Sequence, residues 1–204
     1  MKRYFITGTD TDCGKTYVTS ALLNYFANTV AIKPVASGSA DDALALQQNN
    51  SISLSLSEIN PWVFKLPVSP HIAADQEEKS ISVKELSAYC RKLHWPGIET
   101  LFIEGAGGLM VPLNQKETWV DFLKDLGCPV IVVVGMKLGC INHALLTQTA
   151  LQTANIPFAG WVANCLYPSM DFLDENIATL KNKLQAPLLS VLKYQGKFTS
   201  VHLD

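Results

Sequence analysis

Charge is scarce in this sequence. Asp, Glu, Lys and Arg make up only 17% of its 204 residues, against roughly a quarter in an average soluble domain. The signs nearly cancel as well: 16 basic against 18 acidic residues leave a formal net charge of -2. Without a basic excess there is no field to gather nucleic acid or an anionic lipid surface, so neither is expected as a partner. Long apolar runs are missing too. The longest candidate, Pro129 to Gly135, is the length of a strand and falls short of the roughly 18 residues of a membrane span. The opening MKRYFITGTD has no apolar block before a small-residue cleavage site, so no secretory signal is expected. The five cysteines (Cys13, Cys90, Cys128, Cys140, Cys165) are odd in number and contain no C-x-x-C pair. That argues against a disulfide framework and a structural zinc site, and for reduced, packed thiols in a cytoplasmic protein.

What the chain has in quantity is apolar residues, 48% of the total, which rules out disorder. The length favours one domain spanning residues 1–204, large enough to bury a core without staples. With so little charge, either that core is large or part of the surface is covered by another chain.

Short apolar runs alternate with helical patterns. Arg3 to Thr7, Val30 to Lys33, Thr100 to Ile103, Pro129 to Val134, Phe158 to Ala163 and Pro187 to Leu192 read as strands. The fourth is continuously apolar, as in a strand buried on both faces. Helices are expected over Lys15 to Ala27, from a Ser82/Glu85 capping box to about Leu93, from Thr118 to a closing Gly127, over Asn142 to Asn155, and over Asp171 to Leu184. The alternation implies an α/β fold: a mainly parallel sheet with helices on both faces. The SISLSLS run within residues 49–70 alternates with period two and reads as either an edge strand or a loop.

The strongest chemical signal follows the first strand: Gly8-Thr9-Asp10-Thr11-Asp12-Cys13-Gly14-Lys15-Thr16. A strand, a glycine-containing loop and a helix opening with Gly-Lys-Thr resemble a P-loop, in which backbone N–H groups and a helix N-terminus surround phosphates. Five residues, not four, separate Gly8 from Gly14, and Thr9 stands where the standard motif has glycine. Other polar residues fall just past the ends of the expected strands, where open parallel sheets bind ligands: Lys33-Pro34, Glu104 to Gly108, Gly135 with Gly139 to Asn142, and Asn164. Glu104 stands where a nucleoside triphosphatase places its magnesium-ordering acid. A lysine ending a buried strand, as Lys33 does, needs an anionic partner or solvent. The glycines at 105–108 suit either close backbone approach to a ligand or a tight turn.

Several blocks together resemble the dethiobiotin synthetases: GTDTDCGKT, KPVASGS (Lys33 to Ser39), DALALQ (Asp42 to Gln47), NPWVF (Asn60 to Phe64), SPHIAA (Ser69 to Ala74), EGAGG (Glu104 to Gly108), VVGMKLGCINHALLT (Val133 to Thr147) and AGWVAN ending at Asn164. The resemblance implies ATP-dependent carboxylation and ring closure of 7,8-diaminononanoate with carbon dioxide in biotin biosynthesis. It proceeds through a carbamate and a carbamic–phosphoric anhydride to dethiobiotin, ADP and phosphate. It also implies roles. Lys33, Lys15 and Thr11 are the catalytic group. ATP is held by Asp12, Cys13, Gly14, Lys15, Thr16, Tyr17, Asp42, Glu104, Gly105, Ala106, Gly107 and Asn164, the last reading the adenine edge. Thr16, Asp42 and Glu104 hold Mg²⁺. Thr11, Lys33, Ser37, Gly108, Gly139, Cys140 and Asn142 meet the substrate, its far carboxylate at the helix N-terminus. The resemblance places that terminus at a homodimer interface.

The chain departs from the family pattern at Asp12 and Cys13, at Asn176 where some members have a tyrosine, and after the last strand, where Ser190 to Tyr194 replace a Gly-x-Ile-Pro turn. Three enzyme or switch rivals lack their marks: Asp10 occupies the region of a partitioning ATPase's extra lysine, an amidating enzyme would need a glutamine-hydrolysing domain, and Asn164-Cys165-Leu166-Tyr167 is no Asn-Lys-x-Asp base reader. A non-catalytic nucleotide-binding module is the alternative from another class. It would not need Lys33, Ser37, Asp42 and Glu104 together.

Overall fold

The apolar runs pair edge to edge because each, continuous rather than alternating, needs cover on both faces. In the computed structural model, which describes residues 1–203, β1 (Lys2–Gly8) leads into α1 (Lys15–Tyr25), and β2 (Thr29–Ile32) and β3 (Val35–Ser37) flank Lys33-Pro34. Then come α2 (Asp41–Asn49), α3 (Leu56–Ile59), β4 (Trp62–Phe64), α4 (Pro70–Gln76), α5 (Val83–Lys92), β5 (Thr100–Gly108) and α6 (Trp119–Leu126). The rest of the chain forms β6 (Val130–Met136), α7 (Cys140–Thr153), β7 (Phe158–Cys165), α8 (Leu173–Lys183) and β8 (Leu188–Leu192).

Six strands form one parallel sheet in the order β2-β5-β1-β6-β7-β8, and β3 pairs with β4 in a small parallel ribbon. The chain leaves β1 toward β2 on one side and crosses from β5 to β6 on the other. That reversal opens a crevice at the strands' carboxyl ends, beside β1. Among the described residues, no helix is long and apolar enough to cross a membrane.

The six expected strands are the six strands of this sheet, and several boundaries differ for physical reasons. β5 runs on to Gly108, which pairs with Gly8 after a register shift past the Ile6–Glu104 pair, so Gly105 to Gly108 are strand and not a turn. Gly105 meets a packing demand there: a Cβ would lie 2.6 Å from the Phe5 ring. SISLSLS is not an edge strand. Ser55 and Glu58 exchange capping-box hydrogen bonds and turn its end into α3. α7 starts at Cys140, ahead of the expected Asn142, because Gly139 takes φ 91 and turns the chain directly into the helix. α6 has its Thr118–Asp121 capping box and its left-handed Gly127.

The rings of Phe5, Trp119 and Phe122 pack with centroids 5.2–5.7 Å apart. From that cluster Trp119 Nε1 donates to Ala106 O at 2.9 Å, tying the core to the functional end of β5. Trp119→Phe keeps the aromatic contact and strands a buried carbonyl, so it should cost about 1–3 kcal/mol of stability by urea denaturation. An unchanged transition would mean the bond bears none of the load.

Candidate active site

The loop between β1 and α1 is shaped by what its glycines omit. A Cβ on Gly8 would lie 2.2 Å from Cys13 Sγ, so the fully buried Cys13 side chain tucks beneath the strand end. Gly14 has φ 84, and a Cβ there would lie 2.1 Å from Asn164 Nδ2. Asp12 takes a left-handed φ of 58, which Asp tolerates better than most residues. Asn164 Nδ2 donates to Cys13 O at 2.9 Å and braces the loop from below. The expected role of Asn164 was at an adenine edge. Its nitrogen is committed to the loop, while its buried Oδ1 has no partner among the described residues. Asp10 organises the outer side. Its carboxylate accepts from Thr11 N at 2.8 Å and from Lys137 Nζ at 3.0 Å, and its carbonyl accepts from Lys15 Nζ at 3.2 Å. The hydrogen bond from Lys137 holds the Asp10 carboxyl below the ordinary range.

Lys33 is the centre of the site. Its side chain leaves the end of edge strand β2 and is buried, at 6% exposure. Nζ donates to Glu104 Oε1 at 2.9 Å and also to an Asp42 carboxylate oxygen. Burial pushes the ammonium's pKa down, but the Glu104 and Asp42 charges outweigh it and hold it above the usual lysine value. Burial likewise pushes the Asp42 carboxyl up, and Lys33 reverses that, leaving it below its ordinary value. Thr16 Oγ1 donates to Glu104 Oε1 at 2.6 Å, which joins the phosphate loop to the same carboxylate.

The donor set suits magnesium. Glu104 is fully buried, and its Oε2 has no partner among the described residues. Thr16 and Asp42 add a hydroxyl and a half-exposed carboxylate, all hard oxygens. No group of three or more His, Cys, Asp or Glu side chains is placed to hold a metal among the described residues. A Mg²⁺ ion held by few protein oxygens and completed by phosphates and water fits that arrangement.

Two adjoining cavities receive these groups. One, about 390 Å³, is lined by Thr11, Asp12, Gly14 to Tyr17, Lys33, Asp42 and Gly107. The other, about 370 Å³, adds Ser37, Ser39, Pro67 to Pro70, Ala106 and Val111. Ser37 Oγ donates to Val68 O at 2.6 Å and keeps its lone pairs for an incoming N–H. Gly108 lines a third cavity with Gly8 to Thr11 and the α7 residues His143 and Leu146. Gly139, Cys140 and Asn142 line neither of the cavities that Lys33 borders. Cys140 is buried and its N–H donates to Lys137 O at 3.0 Å. Its sulfur lies 4.0 Å from Asn176 Oδ1.

Sequence reasoning missed two supports. Asn60 Nδ2 donates to Lys33 O at 2.6 Å, and Lys33 N donates to Ile59 O. The signal was an asparagine in the NPWVF block, far from any strand end. Lys137 was passed over as one residue of a long block.

Comparison with known proteins gives the same picture. Residues 2–201 match the model of a family described as an AAA domain. The ATP-dependent dethiobiotin synthetase BioD of Legionella pneumophila (strain Paris) is 56% identical across 100% of this chain and 99% of its own length. The protein of that name from Aeromonas salmonicida (strain A449) is 43% identical, over 95% of this chain and 91% of its own. This chain belongs to the dethiobiotin synthetase family. Among solved structures, the septum site-determining protein MinD of Pyrococcus horikoshii, complexed with Mg-ADP, aligns with TM-score 0.59 at 14% identity, over 94% of this chain and 81% of that one. MinD of Pyrococcus furiosus aligns at 0.57 and 15%, covering 95% and 84%. Likeness that distant extends to the fold alone. The KPVASGS and EGAGG blocks supply the paired Lys33 and Glu104.

Glu104→Ala leaves the buried Lys33 ammonium with the half-exposed Asp42 as its remaining carboxylate partner, so it should destabilise the chain by about 1–3 kcal/mol. Adding Lys33→Met should recover most of that loss in a double-mutant cycle. Equal stability of Glu104→Ala and the parent would contradict the pairing.

Proposed function

We propose that this chain catalyses the MgATP-dependent carboxylation and ring closure of 7,8-diaminononanoate to dethiobiotin, with release of ADP and phosphate. The observation that carries the reading is the Lys33 ammonium, buried between Glu104 and Asp42 and bordering both the loop cavity and the Ser37 cavity. A carbamate and a triphosphate are both anions, and a fixed cation between the two cavities offsets their repulsion.

A substrate amine adds to carbon dioxide, forming a C–N bond and losing a proton to solvent to give a carbamate. A carbamate oxygen attacks the γ-phosphorus of ATP, the bond to the bridging oxygen breaks, and ADP leaves. The second amine attacks the anhydride carbon, closing the ring, expelling phosphate and losing its proton to that phosphate or to solvent. Lys33 stays protonated, held so by its two carboxylates, and is therefore a charge stabiliser and not the base. Two of its three N–H groups are committed to Glu104 and Asp42, which leaves one for the transferring phosphoryl. Lys15, Gly14 and Thr16 cradle the phosphates, with Asp12, Tyr17 and Gly107 lining the same cavity, while Cys13 and Gly105 shape the loop and strand behind it. Thr11 and Ser37 hold the amine end. The Oδ1 of Asn164 is left to accept from an adenine amino group. Mg²⁺, held by Thr16, Asp42 and Glu104, would neutralise phosphate charge when bound.

The other end of the substrate needs a second copy. The N–H groups of Ile141 and Asn142 at the start of α7 suit a carboxylate, and with Gly139 and Cys140 they stand apart from the Lys33 cavities of their own chain. Met110 and Leu146, each 60% exposed, border one cavity with Gly8 to Thr11, and Leu138 just ahead of α7 is 98% exposed, apolar surface suited to a homodimer. Five free thiols and an ATP-dependent reaction suit the cytoplasm.

Phosphate release should require the diamine, bicarbonate and MgATP together; hydrolysis at the same rate without diamine would overturn the reading. Lys33→Ala should lower turnover about 10²–10³-fold or more, while calorimetry still detects ATP binding. In light scattering the protein should run as a dimer, and a monomer at assay concentration would remove the shared site.

A further inference from the structure

Tyr17 follows directly on the Thr16 that closes the phosphate loop, and it borders the same cavity as Lys15 and Asp42. Its ring is partly exposed, yet its hydroxyl donates to Gly196 O at 2.6 Å, across 179 residues of chain. Gly196 ends a turn that starts at the carboxyl end of β8. Gly196 N donates to Lys193 O at 2.9 Å, and Gln195 takes φ 50. Beyond the turn the chain doubles back along β8, with Ser190 Oγ donating to Ser200 O and His202 N to Leu189 O. The Tyr17 bond ties the turn itself to α1.

The turn is joined to the phosphate loop on two sides, through Tyr17 and through Leu166. Lys193 and Tyr194 share a cavity of about 440 Å³ with Met136, Leu166 and Tyr167. Leu166 in turn lies against the loop, 3.8 Å from where a Gly14 Cβ would be. A nucleotide with its phosphates on Gly14 to Thr16 therefore has Tyr17, Leu166 and this turn around its other end. We propose that Tyr17 is a positioning residue for nucleotide selection: its hydroxyl pins the Lys193–Gly196 turn as the base-side wall, so that losing it loosens nucleotide binding and weakens discrimination between bases. The phosphoryl-transfer groups are untouched. The inference rests on the ATP-dependent reading above and extends it to the residues that select the nucleotide.

The test is calorimetric titration of the full chain and of Tyr17→Phe with ADP and with CDP, in the absence of diamine. Steady-state kinetics with saturating diamine run alongside. One neutral hydrogen bond is at stake, so the Kd for ADP and the KM for ATP should rise about threefold to tenfold. The Kd for CDP should rise less, narrowing the preference, and kcat at saturating ATP should change by less than twofold. Tyr17→Leu, which also removes the ring, should shift Kd at least as far. Unchanged Kd values for both nucleotides in Tyr17→Phe, or a lower melting temperature with Kd unchanged, would overturn the proposal and leave the enzyme reading standing. A parent chain that binds neither nucleotide would overturn both.

Discussion

A lysine ammonium removed from water is a large desolvation cost, and most of the functional end of this protein is arranged around meeting it at Lys33. Two carboxylates from different elements must reach one nitrogen: Glu104 from the interior strand β5 and Asp42 from the first turn of α2. Charge balance then leaves one net negative charge on the cluster, before any ligand arrives. A divalent cation and an anionic phosphoryl group can both join such a cluster without leaving an uncompensated buried charge. The backbone on either side is held for the same reason. Lys33 N and O are both spoken for, by Ile59 O and Asn60 Nδ2, so the ammonium is delivered from a rigid stem. This rigidity suits electrostatic catalysis, where a charge that need not reorganise is worth most.

The phosphate loop meets a different constraint, space. It carries one more residue between its glycines than the standard motif, and the extra length is absorbed by folding Cys13 inward until its sulfur sits under Gly8. A charged side chain at the fully buried position 13 would be desolvated there. The same inward fold brings the Cys13 carbonyl to Asn164 and the Gly14 backbone against that amide. Gly135 completes the fit from β6, since a Cβ there would lie 3.0 Å from Cys13 Cα. The loop departs from the familiar spacing and still closes on an anion site, because β6 and β7 are shaped around its detour.

How far the sequence showed these arrangements follows from the scale of each signal. Lys33, Glu104 and the Gly-Lys-Thr start of α1 end or begin apolar runs, and a run long enough to read as a strand fixes which edge of the sheet its terminal residue reaches. All three lie where that logic puts them. β3 and β4 are three residues each, too short for any periodicity, so the ribbon that carries Ser37 was not foreseen. Asn60 escaped because its contact is to a backbone oxygen 27 residues away, which no local pattern encodes. The direction of the Asn164 nitrogen depends on Gly14 lacking a Cβ, a coincidence of two distant residues. The glycines of 105–108 suited either close backbone approach to a ligand or a tight turn, since glycine permits both. In fact Gly105 is dictated by the Phe5 ring behind it.

The shortage of charge with which the sequence opens is explained in part by this geometry. The described chain has a large core, including a central strand buried along its whole length. A large core alone does not account for Met110 and Leu146 in water at a cavity lined by both the phosphate loop and α7, or for the exposed Leu138. The proposed substrate carries a diamine at one end of a nine-carbon chain and a carboxylate at the other, so it needs two polar stations joined by an apolar path. In the proposed reading one chain would supply the diamine station at Lys33 and Ser37, while Gly139, Cys140 and Asn142 line neither of the Lys33 cavities. Apposing a second copy through the exposed apolar face would bring the missing station within reach and bury the surface that charge does not cover. On the proposed dimer the low charge content and the divided site would share one cause, an active site completed by a second copy.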